Sequence, residues 1–222
     1  ILTYQGKSLV AYARRLLNLH DEAFNHLSPA HHVDKITIGC PDDYSTSLLP
    51  KLMTILHRQK PFLHISIITA NSGELRQLMD SGDIDMAILS RLPQSNEGVL
   101  VHQTKGRWLT SDVEIFKQRP LPLVLVEPSC KFHSSVIDAL EKDGIDYQLL
   151  CDASQVSLLL TLIRQGQVVG VLPDLVIPDD LVSASEVAGL PELPVAEVII
   201  CLKAADQNIA GLSLQQIAKM MR

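Results

Sequence analysis

The sequence predicts an α/β protein built from two Rossmann-like βαβ lobes behind one long helix. Three observations predict it. A β-α-β-α-β run occupies about positions 35–89, a second occupies about 122–172, and a helical seam of 3, 4, 3, 4 spacing precedes both. Composition agrees. Of 222 residues, 46% are hydrophobic and 20% charged, which rules out a disordered chain, and only 4% are aromatic, so the core is aliphatic. The densest apolar run, Val156 to Ile163, has eight residues, too few to span a bilayer.

The leading helix is placed at about Tyr4 to Leu27. Leu9, Tyr12, Leu16, Leu19 and Ala23 form its seam, and Arg14, Arg15, Asp21 and Glu22 fall off it. Ser28-Pro29 ends it. Such a stripe is expected to pack on a second helix, most simply that of another subunit, although it could also lie on its own globular body.

Strands follow at Lys35–Cys40, His64–Thr69 and Ile84–Leu89. A helix at about Ser47–Gln59 carries Pro50 in its first turn, where a missing N–H costs nothing. Asn71-Ser-Gly-Glu74 is a capping signal for a short helix that Gly82 closes. Gly98–His102 and Gly106–Thr110 read as two strands, and Ser111–Arg119 as a polar connection. The second run places strands at Pro122–Val126, Tyr147–Leu150 and Val168–Leu172. Its helices are placed at Lys131–Asp143 and from a Ser154 cap to Gln165, the latter with Leu158, Leu159, Leu162 and Ile163 inward. Positions 173–194 read as irregular, Ala196–Leu202 as a strand and Leu212–Met221 as a final helix.

Two such lobes imply a ligand cleft, because parallel strands aim their carboxyl ends at binding sites. Loops that lead into helix N-termini offer hydroxyls and N–H groups. Ser45, Thr46, Ser72, Ser129, Cys130 and Ser154 are the candidate ligand contacts, against the plainer alternative that each hydroxyl caps its own helix. Asp42, Asp43, Glu127 and Asp152 share those loops, so a ligand bearing an amine fits as well as an anion. Asp83 and Asp85 read as solvated.

Cys40, Cys130, Cys151 and Cys201 show no CxxC or zinc spacing, which suits a reducing cytoplasm. Cys40 and Cys130 each follow the first strand of their lobe and are the candidate sensing thiols, and Cys130 sits at a helix start beside Lys131. That position predicts a lowered pKa and a sensing role, against the commoner fate of an inert buried thiol. The eight His do not form a metal pattern; His31 and His32 are adjacent, while His57 and His64 lie on different elements. No G-x-S-x-G, H-E-x-x-H, Walker or G-x-G-x-x-G motif appears. Neither enzyme activity nor a cofactor is expected. The net charge of −6 excludes a strongly basic nucleic-acid surface.

Several segments together resemble the LysR-type transcriptional regulators. Leu2-Thr3, Gly6, Tyr12-Ala-Arg-Arg-Leu-Leu17 and Asp21-Glu-Ala23 are similar to that family's junction between the DNA-binding wing and the linker helix. Ile36-Thr-Ile-Gly39, Leu48-Leu-Pro50, Leu78–Ile88, Pro120–Leu125 and Gly170-Val-Leu-Pro173 resemble its effector-binding region, in the same order. Gly166-Gln-Val-Val-Gly170 departs from the more common Gly-Leu-Gly-Val run.

The resemblance implies a fold like type II periplasmic binding proteins and a domain order. Positions 1–30 would be the linker and dimerisation helix, at the end of a winged helix-turn-helix domain that lies upstream. Positions 34–111 and 198–222 would form effector-binding lobe I, and 112–197 lobe II, with crossings near Trp108–Asp112 and Pro194–Ile200. It further implies a homodimer or homotetramer in the cytoplasm, a small-molecule effector between the lobes, and promoter DNA bound only through the upstream domain. A periplasmic-type solute-binding protein for a small metabolite shares the architecture and is the alternative; an enzyme of prephenate dehydratase-like or deaminase-like shape is a third reading.

Overall fold

The structure, a computed structural model, describes residues 3, 5, 6, 9, 10, 12, 13, 16, 17, 19, 20, 35–128, 130–184, 189–203 and 208–222. The described residues between positions 5 and 20 are helical and are called α1. Leu9, Tyr12, Leu16 and Leu19 lie on it, 61–68% exposed. The fifth seam residue, Ala23, falls outside the described residues, as do His31 and His32.

Chain contacts divide the protein into two compact units. The first comprises 1–41, 48–101 and 199–222, and the second 42–47 and 102–198. In the first unit, β1 (Lys35–Cys40) lies between parallel β2 (His64–Thr69) and β3 (Met86–Ser90), with β9 (Val195–Leu202) beside β3. Helix α3 (Leu49–Gln59) has Pro50 in its first turn and buries Leu49, Leu52, Ile55 and Leu56. Those positions share one face, as a 3.6-residue period produces.

Helix α4 (Ser72–Ser81) is bounded as its sequence dictates. The Asn71 side chain accepts the Glu74 N–H, and Gly82, at φ 80°, donates its N–H to the carbonyls of Leu78 and Met79. Gly39 explains how closely α4 sits on β1. A Cβ there would come within 2.7 Å of both Leu75 and Ile84, which are completely buried. Asp85, expected in solvent, is instead tied down. Its carboxylate accepts the Thr37 N–H at 2.8 Å and pairs with Lys203 at 2.9 Å. The unit ends in α7 (Leu214–Met221), opened by a Ser213–Gln216 capping box.

In the second unit, β5 (Leu121–Val126) is central to a parallel trio with β6 (Tyr147–Ala153) and β7 (Val169–Pro173). Strand β4 (Val99–Thr110) runs antiparallel to β7 and also pairs with β8 (Val182–Ala184). The two strands expected over 98–110 are one strand of 12 residues. Gly106 does not interrupt it, because any Cβ there would crowd Phe132 at 2.9 Å and Leu193 at 3.0 Å. The polar stretch 111–119 contains a 3-10 turn, Val113–Lys117, that buries Ile115 and Phe116.

Helix α5 (Lys131–Lys142) packs on the face of β5 that carries Leu121, Leu123 and Leu125, together with Trp108. Helix α6 (Val156–Arg164) covers the opposite face through Leu159 and Ile163. Each such fully buried side chain contributes roughly 1.5–3 kcal/mol. Leu158, expected inward, is 47% exposed: α6 starts one residue later than the Ser154 cap implied, with Gln155 at its N-cap, and Leu158 turns away from the buried stripe. Among the described residues no helix is long and apolar enough to cross a membrane.

Candidate functional site

The second unit gathers several of the candidate residues around the starts of two helices. The segment after β1 turns through the short helix α2 (Asp42–Ser45), whose acids Asp42 and Asp43 occupy its first turn. Asp42 reaches α6: its carboxylate accepts the Val156 N–H at 2.7 Å. Gln155 makes no side-chain cap, so a residue 114 positions away satisfies that helix end. Asp43 is only 8% exposed. Burial chiefly, and the charge of Asp42 in lesser degree, push its carboxyl up from 3.8 to about 7, against a lowering hydrogen bond from its own backbone.

Cys130 is the N-cap of α5 and makes no side-chain cap. Its thiol is pushed up to about 12, by burial first and by Asp43 second. The lowered pKa expected at this helix start is therefore corrected. Desolvation and a neighbouring carboxylate outweigh the helix N-terminus, whose N–H groups at Phe132 and His133 act in the opposite direction. His133, in the first turn of α5, pairs with Asp152 at 3.0 Å. A thiol held protonated is the reverse of an activated nucleophile.

The hydroxyls are placed as follows. Ser45 donates to the Asp42 carbonyl at 2.8 Å and Thr46 is exposed. Ser154 is exposed one residue before the N-cap of α6, so it does not cap that helix. Ser129 lies outside the described residues. Ser72 belongs to the first unit, where its hydroxyl accepts the Ser90 N–H at 3.1 Å.

Sequence reasoning missed a polar arrangement in that first unit. Arg76 donates through Nε to Glu97 at 2.9 Å, and its outer nitrogens reach the Ser72 carbonyl at 3.1 Å and the Ser90 carbonyl at 2.7 Å. The guanidinium holds the Glu97 carboxyl below its ordinary range. These two residues line a cavity of about 500 Å³ with Leu89, Cys201, Lys203 and Leu214. Burial pushes the Cys201 thiol up to about 11, with Glu97 adding to it. Arg76 and Glu97 stand 21 residues apart in no recognisable motif, so no local signal could have paired them. Among the described residues no three His, Cys, Asp or Glu gather as a metal site.

The family model described as the LysR substrate binding domain matches residues 30–210. The chain belongs to the LysR substrate-binding domain family. Two similar curated proteins are HTH-type transcriptional regulators: DgdR of Burkholderia cepacia, 29% identical over 201 residues, and PecT of Dickeya dadantii (strain 3937), 26% identical over 202 residues. Each match covers 90% of this chain, which spans 68% and 64% of those relatives' lengths. Among solved structures, the bromide-bound regulatory domain of HypT from Salmonella typhimurium matches with TM-score 0.68 at 12% identity, over 88% of this chain and 97% of that one. Full-length CbnR in complex with its target DNA matches with TM-score 0.66 at 17% identity, over all of this chain and 82% of that one. At such identities the structural likeness establishes the fold, which is that of LysR regulatory domains.

Proposed function

We propose that this chain is the ligand-sensing and oligomerisation region of a LysR-type DNA-binding transcriptional regulator. The observation that carries the reading is the family match across residues 30–210, supported by two regulators similar over nine-tenths of the chain. In this reading positions 1–30 are the linker and dimerisation helix, 34–111 with 198–222 form lobe I, and 112–197 form lobe II. The full-length protein acts in the cytoplasm. Its promoter contacts come from an upstream winged helix-turn-helix, and a small-molecule effector bound by the lobes alters those contacts.

The effector contacts proposed are Ser45, Thr46, Ser129, Cys130 and Ser154, on segments of the second unit, and Ser72 of the first. The exposed apolar residues Leu9, Tyr12, Leu16 and Leu19, with Ala23, are proposed to pair with a second copy and so form the dimer or tetramer. The chain's role is binding, not turnover, and it calls for no cofactor.

A thermal-shift screen of metabolites against this chain tests the sensing role, followed by a promoter-binding assay on the full-length regulator. A compound that stabilises the chain should change the regulator's promoter affinity or footprint. Stabilising compounds that leave both unchanged would count against effector sensing and in favour of a solute-binding protein.

A further inference from the structure

The cavity beside α4 is lined by residues of the first unit alone, and two of its polar groups have bonding capacity to spare. Arg76 and Asp80 stand four residues apart on α4, the spacing at which opposite charges on a helix normally meet. They do not pair here. The guanidinium turns instead to Glu97, which it grips through Nε at 2.9 Å and through Nη2, and to the carbonyls of Ser72 at 3.1 Å and Ser90 at 2.7 Å. A guanidinium has five N–H groups, so one N–H on Nη1 is left without an acceptor among the described residues. Asp80 is left as an exposed carboxylate with no hydrogen bond or ion pair among the described residues.

Gly98 helps to hold Glu97 where it meets Arg76. Its φ is +61°, and a Cβ there would lie 2.5 Å from the Cys201 thiol and 2.6 Å from the Ile200 carbonyl, so only glycine lets the chain entering β4 lie this close to β9. Much of the remaining wall is apolar, from Met79, Leu89, Leu202 and Leu214. Lys203 adds a second cation, paired with Asp85 at 2.9 Å. The volume of about 500 Å³ is that of a small-metabolite site.

A ligand of a single charge meets a like charge in this cavity. An anion faces Asp80 and Glu97, and a cation faces Arg76 and Lys203. A ligand that carries both signs on an apolar body meets neither penalty when each end sits against its opposite. We propose that the first unit carries a ligand site of its own in this cavity, for a small amino acid zwitterion with an apolar side chain. The ligand carboxylate accepts the open Arg76 N–H, its ammonium donates to Asp80, and its hydrocarbon part covers the Met and Leu side chains. The proposal goes beyond the effector contacts named above and does not depend on them.

The test is an amide-resonance NMR titration of the 222-residue chain at pH 7. The probes are L-leucine, 4-methylpentanoate and 3-methylbutylammonium, the last two being the leucine skeleton without its amine or without its carboxylate, each against sodium chloride at matched ionic strength. The expected result is that L-leucine shifts the amides of Asp80, Gly98 and Leu202 saturably and binds at least tenfold more tightly than either analogue. Asp80 is exposed and holds no partner, so Asp80→Asn should leave the fold intact and weaken leucine binding at least fivefold. Asp138→Asn, exposed on α5 of the second unit, should leave it unchanged. A singly charged analogue that binds as tightly as leucine, leucine binding that survives Asp80→Asn, or amides that none of the three probes moves would each overturn the proposal. None of these outcomes decides the effector-binding reading, which keeps its own test.

Discussion

Replacing Asp43 by Asn should change how stability depends on pH. The folded protein holds this carboxyl near 7 against an ordinary value of 3.8, mainly through burial. The native state therefore prefers the protonated acid. Its contribution is intact below about pH 4 and is lost progressively as pH rises through 7, the opposite of a salt-bridged acid. Each unit of difference corresponds to about 1.4 kcal/mol, so ionising Asp43 costs the native state about 4 kcal/mol by pH 8. Roughly 2–3 kcal/mol of that falls between pH 5 and pH 8.

Asn carries no charge and removes this dependence. The stability difference between variant and parent should thus shift in favour of Asn by about 2–3 kcal/mol from pH 5 to pH 8. Trp108, the single tryptophan, is 3% exposed in the core of the same unit and supplies the fluorescence signal for urea unfolding. Using the change in the difference cancels any fixed effect of exchanging a carboxyl for an amide. Parallel profiles for the two proteins would refute the argument, because Asp43 would then titrate alike folded and unfolded.

Other changes have equally definite outcomes. Leu16→Asp places a charge in the exposed seam of α1 and should shift sedimentation toward smaller species; an unchanged profile would mean that the seam pairs nothing. Asp42→Ala should lower the stability of the second unit by about 0.5–2 kcal/mol, the usual worth of an N-cap, read from the urea midpoint. Gly98→Ala should cost at least 1–3 kcal/mol, since φ is +61° and the new Cβ would lie 2.6 Å from the Ile200 carbonyl; wild-type melting would contradict this. Under mild alkylation at pH 8, Cys151 on β6 should label before Cys130 and Cys201, whose thiols are held up near 12 and 11; mass mapping gives the order.

Much of the fold is legible because its signals are local. The bounds of α4 follow from Asn71, Glu74 and Gly82, and β1 from the short apolar run Lys35-Ile-Thr-Ile-Gly-Cys40. What was not legible depended on residues distant in sequence. Gly106 reads as a strand break until Phe132 and Leu193 are seen to occupy the space of a side chain. The start of α6 was misplaced because its N–H partner is Asp42, not the nearby Ser154. The acids of the candidate site could be named from sequence, but not that Asp43 is buried while Asp42 and Asp152 reach α6 and His133. The Cys130 expectation failed for a related reason: helix position is a local signal, whereas burial and the Asp43 field come from tertiary packing.

The assignment of 42–47 to the second unit has a practical side. The backbone passes from one unit to the other at 41/42, 47/48, 101/102 and 198/199, four times instead of the two that a simple insertion requires. A contiguous fragment spanning 102–198 would leave behind the carboxylate that terminates α6 and the acid that presses on Cys130. Expressed alone, it should be less stable than the same residues in the intact chain. Restoring it would take a grafted Asp42–Ser47 hexapeptide, and protease trimming at the sequence boundaries would not yield an intact half.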